Sequence, residues 1–264
     1  MNLSSKADIV NILASSATAV LDKLIQQSND CRQAVMGNKV FLRGLIEYSN
    51  DCCRNCLYCG IRKNNQSVNR YHLPKEEIIA LAMHAHQQGY QSICLQAGET
   101  DSDQSIECLA DVVKEIKDLI SQNDMQSLGI TLSVGELSYQ QYKKLWEAGA
   151  HRYLLRIESS DRELFQRIHP PTQSFEKRLE CLDALRDVGF QVGTGVMIGL
   201  PGQSAEHLAM DLDFFQQKDI DMLGMGPYIP HPAAPLSRLK PWPKKDTFTT
   251  TLKMIALARL LMPD

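Results

Sequence analysis

The chain has 264 residues, a formal net charge of −3, and 44% hydrophobic and 22% charged residues. That length suffices for one large α/β domain with a well-buried core, and the composition is that of an ordinary globular protein. The net charge gives no reason to expect nucleic acid, which usually calls for a clustered basic face, and no apolar run approaches the length of a membrane span.

The N-terminal run MNLSSKADIVNILASSATAVLDKLIQQ is mildly like a targeting segment but is broken by Lys6, Asp8, Asp22 and Lys23. Ile9, Leu13, Val20 and Leu24 lie near helical spacing, so it is predicted as an amphipathic helix within an extension over residues 1–36. Residues 37–264 are then expected to form a single domain. Its first predicted strand runs from Val40 to Tyr48. The polar stretch KNNQSVNRYHLP leads to Pro74, placed to open the helix KEEIIALAMHAHQQGY, with Gly89 as its stop. SICLQAGE, GITLSVGE and RYLLRIES read as the second to fourth strands, separated by the helices SIECLADVVKEIKDLI and SYQQYKKLWEAGA. A charged connection ending in HPPTQ precedes the helix SFEKRLECLDALRDVGF, where Ser174 meets Lys177 instead of Glu and makes half a capping box. FQVGTGVMIGLPGQ and DMLGMGPYIPHP carry the fifth and sixth strands, each followed by a helix, SAEHLAMDLDFFQQKD and DTFTTTLKMIALARLLM.

Short strands alternating with helices argue for right-handed βαβ units and a parallel sheet. Charged or Gly-rich features recur just after the strands: the cysteines 52–59, Gly98-Glu99, Gly135-Glu136, Arg156 with Glu158, Gly199 to Gly202, and Gly226-Pro227. All of these crowd onto one rim if the strands curve round a common axis, so a barrel is expected, with its chemistry at the C-terminal face. Arg156 and Glu158 stand two apart on one strand and point to one face, where burial would require partners for both charges. A structural ion pair bracing the barrel is the other reading of that set. Gly193 and Gly195 in the fifth strand mark close approach of a ligand or another backbone, and Met197 and Ile198 are either an apolar wall or barrel core. The segment Gly199 to Gly202 lacks the Gly-Lys-Ser/Thr ending of a phosphate loop.

The densest chemistry lies in EYSNDCCRNCLYCGIR, Glu47 to Arg62, directly after the first strand. Cys52, Cys56 and Cys59 are separated by three residues and then two. Three converging thiolates on a short loop can hold three corners of a cubane iron–sulfur cluster, leaving the fourth iron open for chemistry. Structural zinc would want a fourth ligand, for which His72 is the only nearby candidate. A disulfide framework is disfavoured, because closely spaced thiols without a secretion signal point to metal or redox use. Cys53, Cys56 and Cys59 form a second, evenly spaced set. Cys31, Cys94, Cys108 and Cys181 are isolated and read as small buried hydrophobes, and the distribution of all eight suits a reducing cytoplasm.

With Tyr58 directly before the last cysteine, this motif resembles the cluster loop of the radical S-adenosylmethionine (SAM) enzymes, whose three-then-two spacing selects Cys52 over Cys53. RGLIEYSNDC, ITLSVGE, AGAHRYLLRIES, SFEKRLECLDALRDVGF, GVMIGLPGQ and DMLGMGPYIPHPAAPL resemble, in order, the HydE family of [FeFe]-hydrogenase maturases. Biotin synthase and methylornithine synthase belong to the same branch. The resemblance implies a TIM-type barrel with six β/α units present and two further units of the family's barrel missing. It implies a [4Fe-4S] cluster on Cys52, Cys56 and Cys59. SAM would be held by Tyr58, Ala97, Gly98, Glu99, Glu158, Arg178 and Met197, with Arg178 pairing its carboxylate or else bracing the barrel as an ion pair, and with Ala97 replacing the first Gly of the family's Gly-Gly-Glu-like segment. Gln96, Thr131, Arg156 and Met222 would line the substrate cavity. The implied reaction is reductive cleavage of SAM to a 5′-deoxyadenosyl radical that acts on a small sulfur-containing cysteine–iron precursor. The implied partners are an electron donor of the ferredoxin or flavodoxin type and other hydrogenase maturases. A radical SAM enzyme of a neighbouring branch and a non-catalytic thiolate metal-binding protein are the alternatives.

Overall fold

The computed structural model describes residues 3, 5–100, 102–122 and 127–263. Six parallel strands form one sheet in chain order: β1 (Gly44–Ser49), β2 (Ser92–Ala97), β3 (Gly129–Ser133), β4 (Arg152–Leu154), β5 (Gln191–Thr194) and β7 (Met222–Leu223). A short parallel pair, β6 (Met197–Ile198) with β8 (Gly226–Pro227), continues the fifth and sixth strands. The crossovers are α3 (Lys75–Gln87), α4 (Asp103–Gln122), α5 (Tyr139–Glu147), the pair α6 (Arg162–Ile168) and α7 (Phe175–Val188), and α8 (Ala205–Gln217). The last helix is α9 (Lys244–Leu261). This is the expected α/β architecture, a parallel sheet curved into part of a barrel.

Alternation along the strands divides the side chains. Ile46, Ile93, Leu95, Ile130, Leu132, Tyr153 and Val192 are buried and pack under the helices. Their neighbours Glu47, Gln96, Thr131, Arg152 and Arg156 occupy the other face, as period two requires. A Cβ on Gly193 would meet Leu154 Cδ1 and Met222 Cε, and one on Gly224 would meet Arg156 Nη1 and Leu154, so these residues share the lumen.

Several elements differ from the sequence expectation. The N-terminal amphipathic segment is two helices, α1 (Lys6–Ala14) and α2 (Thr18–Met36), broken at Ser15 to Ala17. The break has a visible cause: Lys253 of α9, 2% exposed, sends its ammonium to the carbonyls of Leu13 (3.0 Å) and Ser15. It takes the carbonyls that a continuing helix would use. β1 starts at Gly44, where pairing with Ile93 begins, and Val40, Phe41 and Leu42 ahead of it are exposed. The charged connection before HPPTQ contains α6, capped by Asp161, whose Oδ1 accepts from Leu164 N at 2.7 Å, and it buries Leu164, Phe165 and Ile168. Ser174 caps α7 through Lys177 N at 2.9 Å, the predicted half of a box. Cys94 and Cys181 are buried as expected, whereas Cys108 is exposed because Ile106, Leu109 and Ala110 take the inner side of α4. No helix among the described residues is long and apolar enough to cross a membrane.

The fifth and sixth strands break at the same level for a steric reason. A Cβ on Gly195 would lie 1.8 Å from the Gly224 carbonyl oxygen, so the two backbones touch where β5 gives way to β6. Gly195→Ala must push the strands apart and is expected to cost about 1–3 kcal/mol, read as a lower urea midpoint at unchanged slope. An unaltered midpoint would mean that the contact is slack.

Candidate active site at the C-terminal rim

The loop that leaves β1 carries the cysteines across the C-terminal ends of the strands, and its neighbours hold it by backbone contacts. Cys53 N donates to Glu99 O (2.8 Å), Leu57 N to Ile168 O (2.9 Å), and Leu236 N to Leu57 O (2.9 Å). A Cβ on Gly98 would stand 2.0 Å from Asp51 O and 2.7 Å from Cys52 Cβ, so only glycine lets the loop lie on the end of β2. Gly60 is covered in the same way by the ring of His231, from the loop after β8, at 2.6 Å. Arg70 closes the loop from below, donating to the carbonyls of Asn50, Ile61 and Arg62. Cys52, Cys56 and Cys59 are thereby fixed half-buried on one short segment.

Burial pushes the Cys56 thiol up to about 12, opposed by its bond to Tyr58 and reinforced by the charges Cys59 and Cys52 would carry. Burial likewise raises Cys59, with Cys52 among the contributing neighbours. The three sulfurs therefore feel one another, and a positive metal centre is the natural way to make thiolates of them. Among the described residues, no group of three or more His, Cys, Asp or Glu could hold a single metal ion. Tetrahedral zinc would need its sulfurs about 3.8 Å apart, given Zn–S of about 2.3 Å. His72, the conceivable fourth ligand, instead meets the Tyr48 ring edge-on at 5.7 Å between centroids. The donor set fits a [4Fe-4S] cluster, in which each thiolate takes its own iron and one iron lacks a protein ligand.

Around the loop runs a row of alternating charges. Arg54, inside the cysteine loop, pairs with Glu99 after β2 (2.5 Å) and with Glu136 after β3 (3.3 Å). Glu136 also takes Arg178 Nε of α7 at 2.7 Å, and Arg178 donates on to the Arg156 carbonyl. Arg156 grips Glu158 through both carboxylate oxygens (2.9 and 3.0 Å) and the Val196 carbonyl at 3.0 Å. Burial raises the Glu99 carboxyl, as does neighbouring Glu136, while Arg54 opposes them. Burial works against the charge on Arg178, but Glu136 leads the contacts that outweigh it and hold the guanidinium charged.

Glu158 has φ +65°, a left-handed conformation rare for a non-glycine residue, and it bridges to Val196. The turn behind it is anchored from α8: Asp211 Oδ1 accepts from Ser160 N (2.7 Å) and Ser160 Oγ (2.6 Å). Tyr58 packs with Leu57 and Met197 against Leu164, Ile168, Leu200 and Tyr228. Its hydroxyl lies 3.3 Å from His169 Nε2, while His169 Nδ1 lies 2.9 Å from the Phe165 carbonyl. That carbonyl can only accept, which puts the ring proton on Nδ1 and makes Tyr58 the donor to Nε2. Burial, followed by the charge of Arg178, drops His169 to about 3, so the ring stays neutral.

The structure brings most of the expected site residues together. Tyr58, Gly98, Glu99, Glu158, Arg178 and Met197 ring the cysteines, and Ala97 ends β2 beside Gly98. Arg178, expected to pair with a cofactor carboxylate, already spends its donors on Glu136 and Arg156. Of the expected cavity residues, Gln96 donates to Glu47 Oε1 at 3.0 Å, and Thr131 is fully buried with its hydroxyl unpartnered. Met222 lies lower in the lumen, 3.6 Å from Arg43 Nη1, in an open cavity of about 880 Å³ at the N-terminal ends of the strands. Arg54, Glu136, His169, Asp211 and Gln173 were not among the expected site residues. For Glu136 the repeated Gly-Glu after β2 and β3 was the available signal, whereas Arg54 and Gln173 carry no local pattern.

A radical SAM superfamily model matches residues 46–215, from β1 into α8. The chain belongs to the radical SAM superfamily. The cofactors of this family are a [4Fe-4S] cluster and SAM. The [FeFe] hydrogenase maturase subunit HydE of Thermotoga maritima is 44% identical over 243 residues. That alignment covers 92% of this chain, which spans 66% of the length of the Thermotoga protein. The 3-methylornithine synthase of Methanosarcina acetivorans is 27% identical over 98% of the chain and 71% of its own length. Among solved structures, methylornithine synthase (PylB) superposes with a TM-score of 0.86 at 25% identity, covering 98% of this chain and 73% of that one. HydG from Carboxydothermus hydrogenoformans shares the fold at a TM-score of 0.84 and 22% identity, over 98% and 60% of the two chains.

Asp211 gives the rim a pH signature. Burial pushes its carboxyl from the ordinary 3.8 up to about 7, and Oδ2 is buried without a partner. The folded state binds this proton more tightly than the unfolded chain, so its contribution is full below pH 4 and is lost as pH rises toward 7. Asp211→Asn keeps the acceptor for Ser160 and removes the charge. It is expected to stabilise the protein at pH 8 and leave it unchanged at pH 4, by chemical denaturation at both values. An equal effect at the two pH values would refute this.

Proposed function

We propose that this chain is the radical-SAM barrel of a HydE-type [FeFe]-hydrogenase maturase, with Cys52, Cys56 and Cys59 as the cluster ligands. The observation that carries this reading is the loop geometry. Three half-buried thiols lie on one segment, ringed by acidic and apolar groups, in a chain 44% identical to a HydE over nearly its whole length. The cofactor pair supplies one-electron cleavage of the SAM sulfonium into methionine and a 5′-deoxyadenosyl radical. The protein's part is to bind, orient and exclude water. Glu99 and Glu158 offer acceptors for the ammonium and ribose hydroxyls, and the backbone at Ala97 and Gly98 allows close approach of the methionine part. Tyr58 and Met197 supply an apolar wall, and the charge on Arg178 favours the carboxylate through its field. Gln96, Thr131, Arg156 and Met222 face the lumen, where a small sulfur-containing cysteine–iron precursor would lie. The Thr131 hydroxyl is buried without a partner beneath that face. We place the protein in a reducing cytoplasm, in keeping with the distribution of its eight cysteines, supplied by a ferredoxin- or flavodoxin-type donor and acting beside other hydrogenase maturases. The second reading is a methylornithine synthase, supported by the 0.86 TM-score superposition on PylB.

The test is anaerobic reconstitution followed by reduction in the presence of SAM. The wild type is expected to be brown and to release 5′-deoxyadenosine and methionine, and Cys56→Ala to fall to background because two ligands do not retain a cubane. A colourless protein with stoichiometric zinc would overturn the proposal. Adding the protein to a hydrogenase maturation reaction that lacks HydE separates the two radical readings. SAM cleavage without hydrogenase activation would favour the synthase.

A further inference from the structure

We propose that Gln173 is a positioning residue that tunes the cluster from outside its ligand set, by donating a side-chain N–H to the Cys56 sulfur. The proposal rests on the reading of Cys56 as a ligand. Gln173 lies on the connection between α6 and α7, where its backbone N–H donates to Pro170 O at 2.9 Å. It is 4% exposed, and its Oε1 lies 3.4 Å from Cys56 Sγ, accepting from the thiol. The other half of the amide, Nε2, is buried with no partner. An unmade hydrogen bond of this kind costs about 1–3 kcal/mol, which marks the group as fitted to something else.

Metal binding changes what the sulfur asks for. A thiol donates, whereas a thiolate ligand can only accept, so the contact with Oε1 turns repulsive once Cys56 carries iron. A half-turn about the last bond of Gln173 exchanges oxygen and nitrogen within almost the same volume. The orphaned N–H₂ then meets the sulfur, and one side chain serves both states of Cys56. The other two sulfurs have backbone donors: Arg54 N stands 3.4 Å from Cys52 Sγ, and Ile61 N–H serves Cys59. Cys56 meets the Gln173 amide and the Tyr58 hydroxyl, and the one proton of that hydroxyl is already directed at His169 Nε2. Hydrogen bonds to cluster sulfurs are among the factors that set reduction potential, because they favour the more negative, reduced form. Gln173 therefore makes the cluster easier to reduce.

The experiment is a redox titration of the reconstituted protein followed by electron paramagnetic resonance, comparing wild type with Gln173→Met and Gln173→Leu. Both variants lack the donor but differ in shape. Each is expected to bind a full cluster and to lower the potential by about 59 mV, a tenfold change in a one-electron equilibrium. Fe–S(Cys) stretching bands should shift in both. Unchanged potentials beside a lowered melting temperature would assign Gln173 a packing role and overturn the proposal. A wild type that takes up no cluster would overturn the functional reading and this proposal together, and its lack of colour distinguishes that failure before any titration.

Discussion

The rim is held by charge alternation. Arg54, Glu99, Glu136 and Arg178 are joined in one row, and the Arg156 carbonyl links it to the Arg156–Glu158 pair. The row ties the cysteine loop to the ends of β2, β3 and β4 and to α7. Glu99, Glu136 and Arg178 are under 10% exposed at the side chain, so each would be costly alone. Each is tolerable because its neighbours carry the opposite sign. Three carboxylates and three guanidiniums, of which only Arg54 and Arg156 keep appreciable exposure (28% and 32%), balance one another in formal charge.

That arrangement places Arg178 in a different light from the sequence. An arginine on the helix after the fourth strand suggested a cofactor carboxylate partner, and a bracing ion pair was the other reading. In the structure the guanidinium is committed to Glu136 and a carbonyl, and it lies 5.8 Å over the Phe165 ring. Its donors are thereby taken up inside the protein, while Arg54 and Arg156 are the more open cations.

The order of strands, the barrel curvature and the cysteine loop were legible because each has a local cause: period-two apolar runs, glycines at forced turns, thiols at fixed spacing. The Gly-Glu pairs after β2 and β3 were legible as rim features, although their joint partner Arg54 was not, because ion pairs between distant loops leave no pattern in one sequence. The division of the N-terminal helix depended on a lysine some 240 positions away, donating to Leu13. Helix α6 hid inside a charged stretch because its apolar face is only Leu164, Phe165 and Ile168. Gln173 was invisible for the opposite reason, since a single amide next to a Thr and a Ser resembles any turn.

The contacts of the cysteine loop with the segment after β8 bear on the order in which the molecule is made. Leu57 offers its carbonyl to Leu236, and Gly60 lies beneath the His231 ring, so the earliest rim loop is finished by residues translated some 170 positions later. A nascent chain halted before His231 would present its three sulfurs on a segment open on that side. The loop therefore reaches its finished form only once the segment that carries His231 and Leu236 has been made and folded against it.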